Sequence, residues 1–174
     1  MPLAVVCAAF DAATDDAIEG LRAGAEAAGL RVRRAHRPHL TLSAARVTGA
    51  EVDAVTAVAG AVAARHSPAA LTMTELGRFP SGVLWVGAAP SDALRDLQRD
   101  VVVTLSEAGW PPAFGSQSDP SRWIPHCTLA TRVPGPMLTQ QVRAPFTRFS
   151  ASVDALAVIL VGGHGDVARL PLGG

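Results

Sequence analysis

The sequence contains no lysine and no tyrosine, and all 15 of its positively charged side chains are arginines. Its 15 acidic residues balance them, so the formal net charge at pH 7 is zero. A chain without excess positive charge is not suited to long nucleic acids, because such binding depends on neutralising many phosphates. Positive charge is concentrated locally, however, in the arginine-rich segment 31–37. This segment either attracts a small anion or only improves solubility.

Cysteine is almost absent, and the two that occur, Cys7 and Cys127, show no metal-binding spacing. Cys7 lies in an apolar run, and Cys127 falls on the predicted core side of a short strand. We therefore expect two buried, reduced thiols, as in cytoplasmic proteins. No apolar run is long enough to span a membrane, and no basic segment precedes the first apolar run. These features favour a soluble, cytoplasmic protein.

Length and composition favour a well-packed globule, since 49% of the 174 residues are hydrophobic and only 17% are charged. Predicted strands cover residues 3–10, 39–47, 70–79, 83–88, 126–133, 148–161 (as one strand or two) and 167–172. Predicted helices cover residues 12–28, 50–65, 92–108 and, as a short segment, 137–142. This order predicts an α+β protein with largely antiparallel sheets. The connector 110–124 has no apolar period and is typical of functional or mobile loops.

One short phrase occurs twice, separated by half the length of the chain. The first copy, Pro-His-Leu-Thr-Leu, contains His39 and Thr41; the second, Pro-His-Cys-Thr-Leu, contains His126 and Thr128. In a strand, residues two apart point to the same face. Each copy therefore presents an imidazole beside a hydroxyl, and the two pairs would meet if the halves of the fold face one cleft.

Two imidazoles and two hydroxyls in one cleft suit phosphoester chemistry. Opening a phosphodiester needs a base for the attacking oxygen and an acid for the leaving oxygen. Histidine, with an ordinary pKa of about 6.5, can take either part near neutral pH. Threonine hydroxyls can donate hydrogen bonds to the non-bridging oxygens. No metal-binding or cofactor-binding motif accompanies the pair, so neither a metal nor a cofactor is expected.

The paired motifs His39-Leu-Thr41-Leu and His126-Cys-Thr128-Leu resemble those of the 2H phosphoesterase superfamily. They are most similar to its bacterial 2′-5′ RNA ligase-like, or RNA 2′,3′-cyclic phosphodiesterase, branch. The segments Leu-Gly-Arg-Phe-Pro at 76–80 and Val-Leu-Trp-Val-Gly at 83–87 resemble a hairpin of that branch. The resemblance spans about residues 3–172 in the order of elements.

This resemblance implies a bilobal fold with a pseudo-two-fold axis, in which two antiparallel sheets face a central cleft and the helices lie outside. Residues 1–174 would then be one domain of two pseudo-repeated lobes. The implied activity is metal-independent hydrolysis of 2′,3′-cyclic phosphates to 2′-phosphates, and in some members 2′-5′ RNA joining. His39 and His126 would be the general acid and base, in an order that stays open. Thr41 and Thr128 would bind phosphate.

The substrate remains open at this point. An RNA 3′ end or a small nucleotide cyclic phosphate is the expected partner of a monomeric enzyme. One alternative is a nucleotide-binding or RNA-end-binding module without turnover. Another is a phosphodiesterase acting on a small cyclic phosphate that does not come from RNA.

Four further residues are candidates for substrate contacts. Arg122 and Trp123 precede the second motif and could bind phosphate and stack on a base, although packing of Trp123 onto the core is the simpler interpretation. Phe79 lies at the hairpin tip and could border the cleft. Arg132 shares strand parity with His126 and is expected to face the cleft. Trp85 is expected in the core.

Overall fold

The fold was analysed in a computed structural model that describes residues 1–89, 91–115, 119, 121–135 and 146–173. Its strands are β1 (Leu3–Phe10), β2 (His39–Arg46), β3 (Ala69–Arg78), β4 (Leu84–Ala88), β5 (His126–Ala130), β6 (Phe149–Leu160) and β7 (Ala168–Pro171). Its helices are α1 (Ala12–Ala27), α2 (Val52–Ala63) and α3 (Asp92–Glu107), with a 3-10 turn at Gly49–Glu51 before α2. This confirms the α+β class predicted from the sequence.

All strands pair antiparallel in one sheet of order β2-β1-β6-β3-β4-β5. Strand β6 joins the two halves of the sheet, because it pairs with β1 along one edge and with both β3 and β7 along the other. Antiparallel pairing is thus confirmed, and hydrogen bonds along β6 join the two expected sheets into one. The prediction of one or two strands at 148–161 resolves to a single strand of 12 residues.

The two ends of this sheet, β2 and β5, lie against each other. Five antiparallel steps separate them in the strand order, so β5 runs opposite to β2. Within the described residues no ladder of backbone hydrogen bonds joins the pair, and the sheet does not close into a barrel. The curl of the sheet nevertheless brings both histidine motifs to one place, since each motif begins an end strand.

Helices α1 and α3 begin where the sequence places polar capping residues. The Asp11 carboxylate accepts a hydrogen bond from the Thr14 amide at the start of α1, and Ser91 does the same for Leu94 in α3. Gly29 follows α1 with φ of 81°, the left-handed conformation that a helix C-terminus favours in glycine. Helix α1 packs on β5 and α3 packs on β2, so each motif strand is supported by a helix.

The two faces of the sheet bury different side chains. The helix side carries the main core, which includes Phe10, Leu40, Leu42 and Leu156. The opposite face of β1, β2 and β6 buries a cluster of small side chains, mostly alanines with one cysteine, and leaves room above it: Val5, Cys7, Ala9, Ala44, Ala155, Ala157 and Ile159. Thr41 and His39 lie on that face, because they are paired in register with Cys7 and Ala9.

Several predicted boundaries differ from the structure. The second motif strand ends at Ala130, and Arg132 adopts φ of 57°, so the predicted strand 126–133 was too long. The predicted helix 50–65 begins as a 3-10 turn and ends at Ala63. The predicted short helix at 137–142 lies outside the described residues. In the part of the chain that the structure describes, no helix is long and apolar enough to cross a membrane.

Candidate functional site

Strands β2 and β5 place the two motifs along two cavities, and each cavity takes one residue from each motif. The first cavity, of about 370 Å³, is lined by His39 and Thr128 and is called the His39 cavity. The second, of about 320 Å³, is lined by His126 and Thr41 and is called the His126 cavity. This crossed arrangement follows from the opposite directions of β2 and β5, which set the start of one motif beside the end of the other.

Both catalytic candidates hold their imidazole in the same way. His39 Nδ1 lies 2.8 Å from the carbonyl oxygen of Arg37, and His126 Nδ1 lies 2.8 Å from that of Ile124. A carbonyl only accepts hydrogen bonds, so Nδ1 carries the proton in both rings. Nε2 is then the nitrogen available for acid–base chemistry in each ring. The backbone bond also fixes the ring orientation, as a catalytic imidazole requires.

Burial lowers the pKa of both imidazoles below the ordinary value for histidine. At His39 the positive charge of Arg22 and the neighbouring His36 lower the pKa further, while the Arg37 carbonyl and Asp166 oppose the shift. At His126 only the Ile124 carbonyl opposes burial. In the ligand-free protein both rings are therefore neutral at pH 7, and a bound anion would favour protonation of one of them.

Two side chains from distant parts of the chain hold the motif backbones in place. The Arg22 guanidinium of α1 donates to the Thr128 carbonyl, with Nε at 3.3 Å and Nη2 at 3.1 Å. The Trp123 indole Nε1 donates to the Thr41 carbonyl at 3.0 Å. Each motif threonine thus has its carbonyl oxygen bonded to a buried side chain outside its own strand. These bonds couple β2 and β5 to the elements that surround the cleft.

Aromatic side chains surround His126. The Phe79 ring meets the His126 ring edge to face with centroids 4.8 Å apart, and the Trp85 ring lies 6.1 Å from it. Trp85 is buried, as the sequence predicted, and its register opposite Thr128 places its indole on the cleft side of the sheet. A Cβ at Gly77 would overlap the indole, and one at Gly87 would lie 2.7 Å from it. These two glycines make the space in which Trp85 lies beside His126.

The surroundings of His39 are different, because small side chains lie beneath it. Cys7 and Ala9 form part of this floor, and both are fully or nearly fully buried. Burial raises the pKa of the Cys7 thiol, and it raises that of Cys127 to about 11. Both cysteines are free and buried, as predicted, and neither thiol forms a reactive thiolate near neutral pH. The two halves of the cleft therefore differ in shape and chemistry although their motifs match.

The structure brings three of the four predicted contact residues to the His126 cavity. Phe79, Arg122 and Trp123 all line it. Trp123 is also buried against the core, which confirms the packing interpretation, whereas stacking on a base stays a prediction. Arg132 follows the end of β5 with an exposed side chain and is not among the described residues that line either cavity. Strand parity failed for Arg132 because alternation applies only while the strand continues.

Sequence reasoning missed three basic residues of the His39 cavity: Arg22, His36 and His164. Arg22 lies on the buried side of α1, beside Ile18, where an arginine is unusual. That exception to the apolar stripe was the only available signal for it. His36 and His164 lie in two loops that are remote in sequence, so their proximity depends on how those loops pack. The side chain of His164 is nevertheless exposed to solvent.

The arginines of segment 31–37 make two kinds of contact. Arg34 forms ion pairs with Glu19 and Glu26, and Arg37 forms one with Asp15, so these two side chains attach the segment to α1. Arg33 lines the His39 cavity instead. Attraction of an anion by this segment stays a prediction, for which Arg33 is the side chain placed at the cavity. Among the described residues, no group of three potential metal ligands of the histidine, cysteine and carboxylate types comes together.

A family model for the 2′-5′ RNA ligase superfamily matches residues 10–165. The chain belongs to this superfamily. The match covers most of the chain and includes both histidine motifs, so it confirms the resemblance to 2H phosphoesterases. A comparison with curated proteins finds no match.

Solved structures of this superfamily's fold align over nearly the whole chain. TT0787 of Thermus thermophilus has a TM-score of 0.68 at 16% identity, and 100% of this chain aligns with 99% of that one. E. coli LigT complexed with 3′-AMP has a TM-score of 0.65 at 19% identity over 99% of both chains. The MHV ns2 PDE domain has a TM-score of 0.58 at 14% identity, over 92% of this chain and 99% of that one. At these identities the comparisons establish the superfamily fold.

Proposed function

We propose that this superfamily member is a metal-independent cyclic phosphodiesterase that hydrolyses nucleoside or RNA 2′,3′-cyclic phosphates to 2′-phosphates. The observation that carries the proposal is the crossed placement of the motifs, in which each cavity combines the histidine of one motif with the threonine of the other. The matching Nδ1 bonds support it, because they leave both Nε2 atoms for proton transfer.

The chemistry needs one neutral and one protonated imidazole. The neutral ring takes a proton from the attacking water as its oxygen bonds to phosphorus. The protonated ring gives a proton to the ribose oxygen as the P–O bond to that oxygen breaks. Thr41 and Thr128 donate hydrogen bonds to the non-bridging oxygens, where negative charge increases in the transition state. The proton count then balances without a metal ion.

Ligands of a solved relative support a nucleotide substrate. E. coli LigT has been crystallised with 3′-AMP, with ATP, with NADP+ and with phosphate. The present chain offers comparable chemistry, with aromatic side chains around His126 and hydroxyls beside both histidines. We propose a monomer acting on small nucleotides or RNA 3′ ends in the cytoplasm. Reversible 2′-5′ joining of RNA ends would use the same two histidines.

The direct test is hydrolysis of adenosine 2′,3′-cyclic phosphate in excess chelator, with the product identified by phosphorus NMR. We expect the 2′-phosphate. His39→Gln and His126→Gln should each lower kcat by about 10²- to 10⁴-fold, the usual contribution of a general acid or base. Thr41→Val and Thr128→Val should each lower it by about 10²-fold, as for loss of one transition-state donor.

His66→Gln is the matched control, because His66 bonds Asp100 of α3 and lies outside both cavities. Its activity should equal that of the wild type. Full activity in His126→Gln would contradict the mechanism. Tight nucleotide binding without turnover would instead identify a binding module, and turnover that disappears with chelator would show that a metal is required.

A further inference from the structure

The cleft has one mainly apolar end and one basic end. The His126 cavity has a single basic side chain, Arg122, among apolar walls formed by Phe79, Trp123, Phe114 and Ile124, of which the last two are 49% and 48% exposed. The His39 cavity carries the four basic side chains Arg22, Arg33, His36 and His164. A ligand that presents a ring to the apolar end and an anionic group to the basic end would complement both.

Arg22 places a fixed positive charge at the basic end. Its side chain is only 3% exposed and is held by the Thr128 carbonyl and by Glu19, whose carboxylate lies 2.7 Å from Nη1. Glu19 offsets part of this charge and also pairs with Arg34, while Asp166 lies close enough to act on His39. Arg33, by contrast, lies at the cavity wall and remains accessible to solvent.

Two loops that are remote in sequence build the outer wall of this cavity. The Gly165 amide donates to the Ala35 carbonyl at 2.8 Å, and His36 Nδ1 lies 3.0 Å from the Gly165 carbonyl. Gly162 and Gly165 of this turn adopt positive φ, of 91° and 72°, a conformation that glycine tolerates. Both His36 and His164 line the cavity, and the bond to Gly165 occupies Nδ1 of His36 and not Nε2.

We propose that the His39 cavity is a subsite for a second phosphate, carried on the 5′ side of the ribose whose cyclic phosphate is hydrolysed. This inference rests on the proposed function. Guanidinium and imidazole groups bind phosphate through charged hydrogen bonds, and aromatic walls accept a base by stacking. On a ribose whose 2′,3′ edge faces the histidines, the base and the 5′ substituent leave the ring on opposite sides. A base in the His126 cavity therefore directs the 5′ phosphate towards Arg33 and His164.

The test compares three substrates in chelator: adenosine 2′,3′-cyclic phosphate, the same compound with a 5′-phosphate, and a dinucleotide ending in a cyclic phosphate. We expect kcat/KM to be about tenfold higher when a second phosphate is present, the effect of one charged hydrogen bond. A preference for the dinucleotide would identify RNA ends as the source of that phosphate. A preference for the 5′-phosphorylated mononucleotide would identify free nucleotides.

The double variant Arg33→Ala with His164→Ala should reduce the preference towards a ratio of one. Arg99→Ala is the control for charge, because Arg99 pairs with Asp96 on α3, outside the cleft, and its ratio should match the wild type. Both altered positions are accessible to solvent, and thermal melting verifies that the variants are folded. A wild-type ratio near one, or a ratio that the double variant leaves unchanged, would overturn the second-phosphate subsite.

Equilibrium binding separates this inference from the activity itself. Calorimetry with adenosine 2′-phosphate and adenosine 2′,5′-bisphosphate measures the same preference without turnover. If no substrate is hydrolysed but the bisphosphate binds about tenfold more tightly and loses this advantage in the double variant, the subsite stands and the proposed enzyme activity fails. If the cyclic phosphate is hydrolysed but both ligands bind equally, the activity stands and the subsite fails.

Discussion

Two backbone carbonyls, those of Arg37 and Ile124, determine which ring nitrogen each motif histidine presents to a ligand. In both cases the acceptor is two residues before the histidine. In each motif one proline, Pro38 or Pro125, stands between the acceptor residue and the histidine. Tautomer and orientation are therefore local properties, and both copies of the motif share them.

Burial of both rings predicts an acidic activity optimum. The pKa values of His39 and His126 are both lowered. The state of the free protein in which one of the two rings is protonated is therefore most populated at a pH below the ordinary pKa of histidine. As pH rises above these lowered pKa values both rings become neutral, and the proposed general acid is lost. The maximum of kcat/KM should therefore lie below about pH 6.5. The kcat profile should peak at higher pH, because a bound anion stabilises the protonated ring.

Both profiles can be measured in chelator with adenosine 2′,3′-cyclic phosphate. An optimum of kcat/KM above about pH 7.5 would contradict the assignment of two buried histidines with lowered pKa values. His66→Gln again serves as the control, because His66 bonds Asp100 outside both cavities. Its profile should coincide with that of the wild type.

At the scale of elements, the β3–β4 hairpin supports His126 through one indole. Gly77 and Gly87 lack the side chains that would otherwise occupy the position of Trp85. Trp85 and Phe79 in turn contact the His126 ring. The hairpin was predicted from its sequence, but alternation alone did not show on which face Trp85 lies. That face became clear from the register of β4 with β5, in which Trp85 is opposite Thr128.

Gly77→Ala should displace this indole and disturb His126. The new Cβ would overlap the ring of Trp85, so the indole must shift, and overpacking of this kind costs about 1–3 kcal/mol of folding free energy. Turnover should fall more than substrate binding, because His126 is the proposed proton-transfer residue. Denaturant unfolding and steady-state kinetics measure the two effects.

Gly24→Ala is the matched control for this substitution. Gly24 is exposed within α1, and a Cβ there would meet nothing within 4 Å. The control should gain about 0.5–1 kcal/mol from reduced backbone entropy of the unfolded chain, with unchanged turnover. Equal stability and turnover in Gly77→Ala and the wild type would show that the indole does not support His126.

At the scale of the whole molecule, strand β6 belongs to both halves. It pairs with β1 on one side and with both β3 and β7 on the other, and the main core is continuous across it. Neither half therefore retains a complete sheet when the other unfolds. That residues 1–174 form a single domain, in spite of the repeated motif, stays a prediction.

Unfolding should consequently be a single cooperative transition. Far-ultraviolet circular dichroism and tryptophan fluorescence should change at the same denaturant concentration, and the calorimetric and van't Hoff enthalpies should agree. Trp85 and Trp123 report on the cleft, whereas helix content reports mainly on α1, α2 and α3. Two separate transitions would instead show that the lobes fold independently.

The sequence by itself determined the α+β class and the one-faced pairing of His39 with Thr41 and of His126 with Thr128. These are local properties, since they depend on strand parity and on the order of elements along the chain. Local patterning failed at Arg132, where the strand had already ended. Local patterns also could not show that the strands form one sheet where two were expected, because strand pairing depends on contacts between residues that are remote in sequence.

Only the tertiary structure decided how the two motifs combine. The curl of the sheet sets His39 beside Thr128 and His126 beside Thr41, and it brings Arg22 to a strand 106 residues later in the chain. It also made the two ends of the cleft unequal. The physical reason is that contacts between remote elements depend on sheet curvature and helix packing, which arise from the whole core and not from any one segment of the sequence.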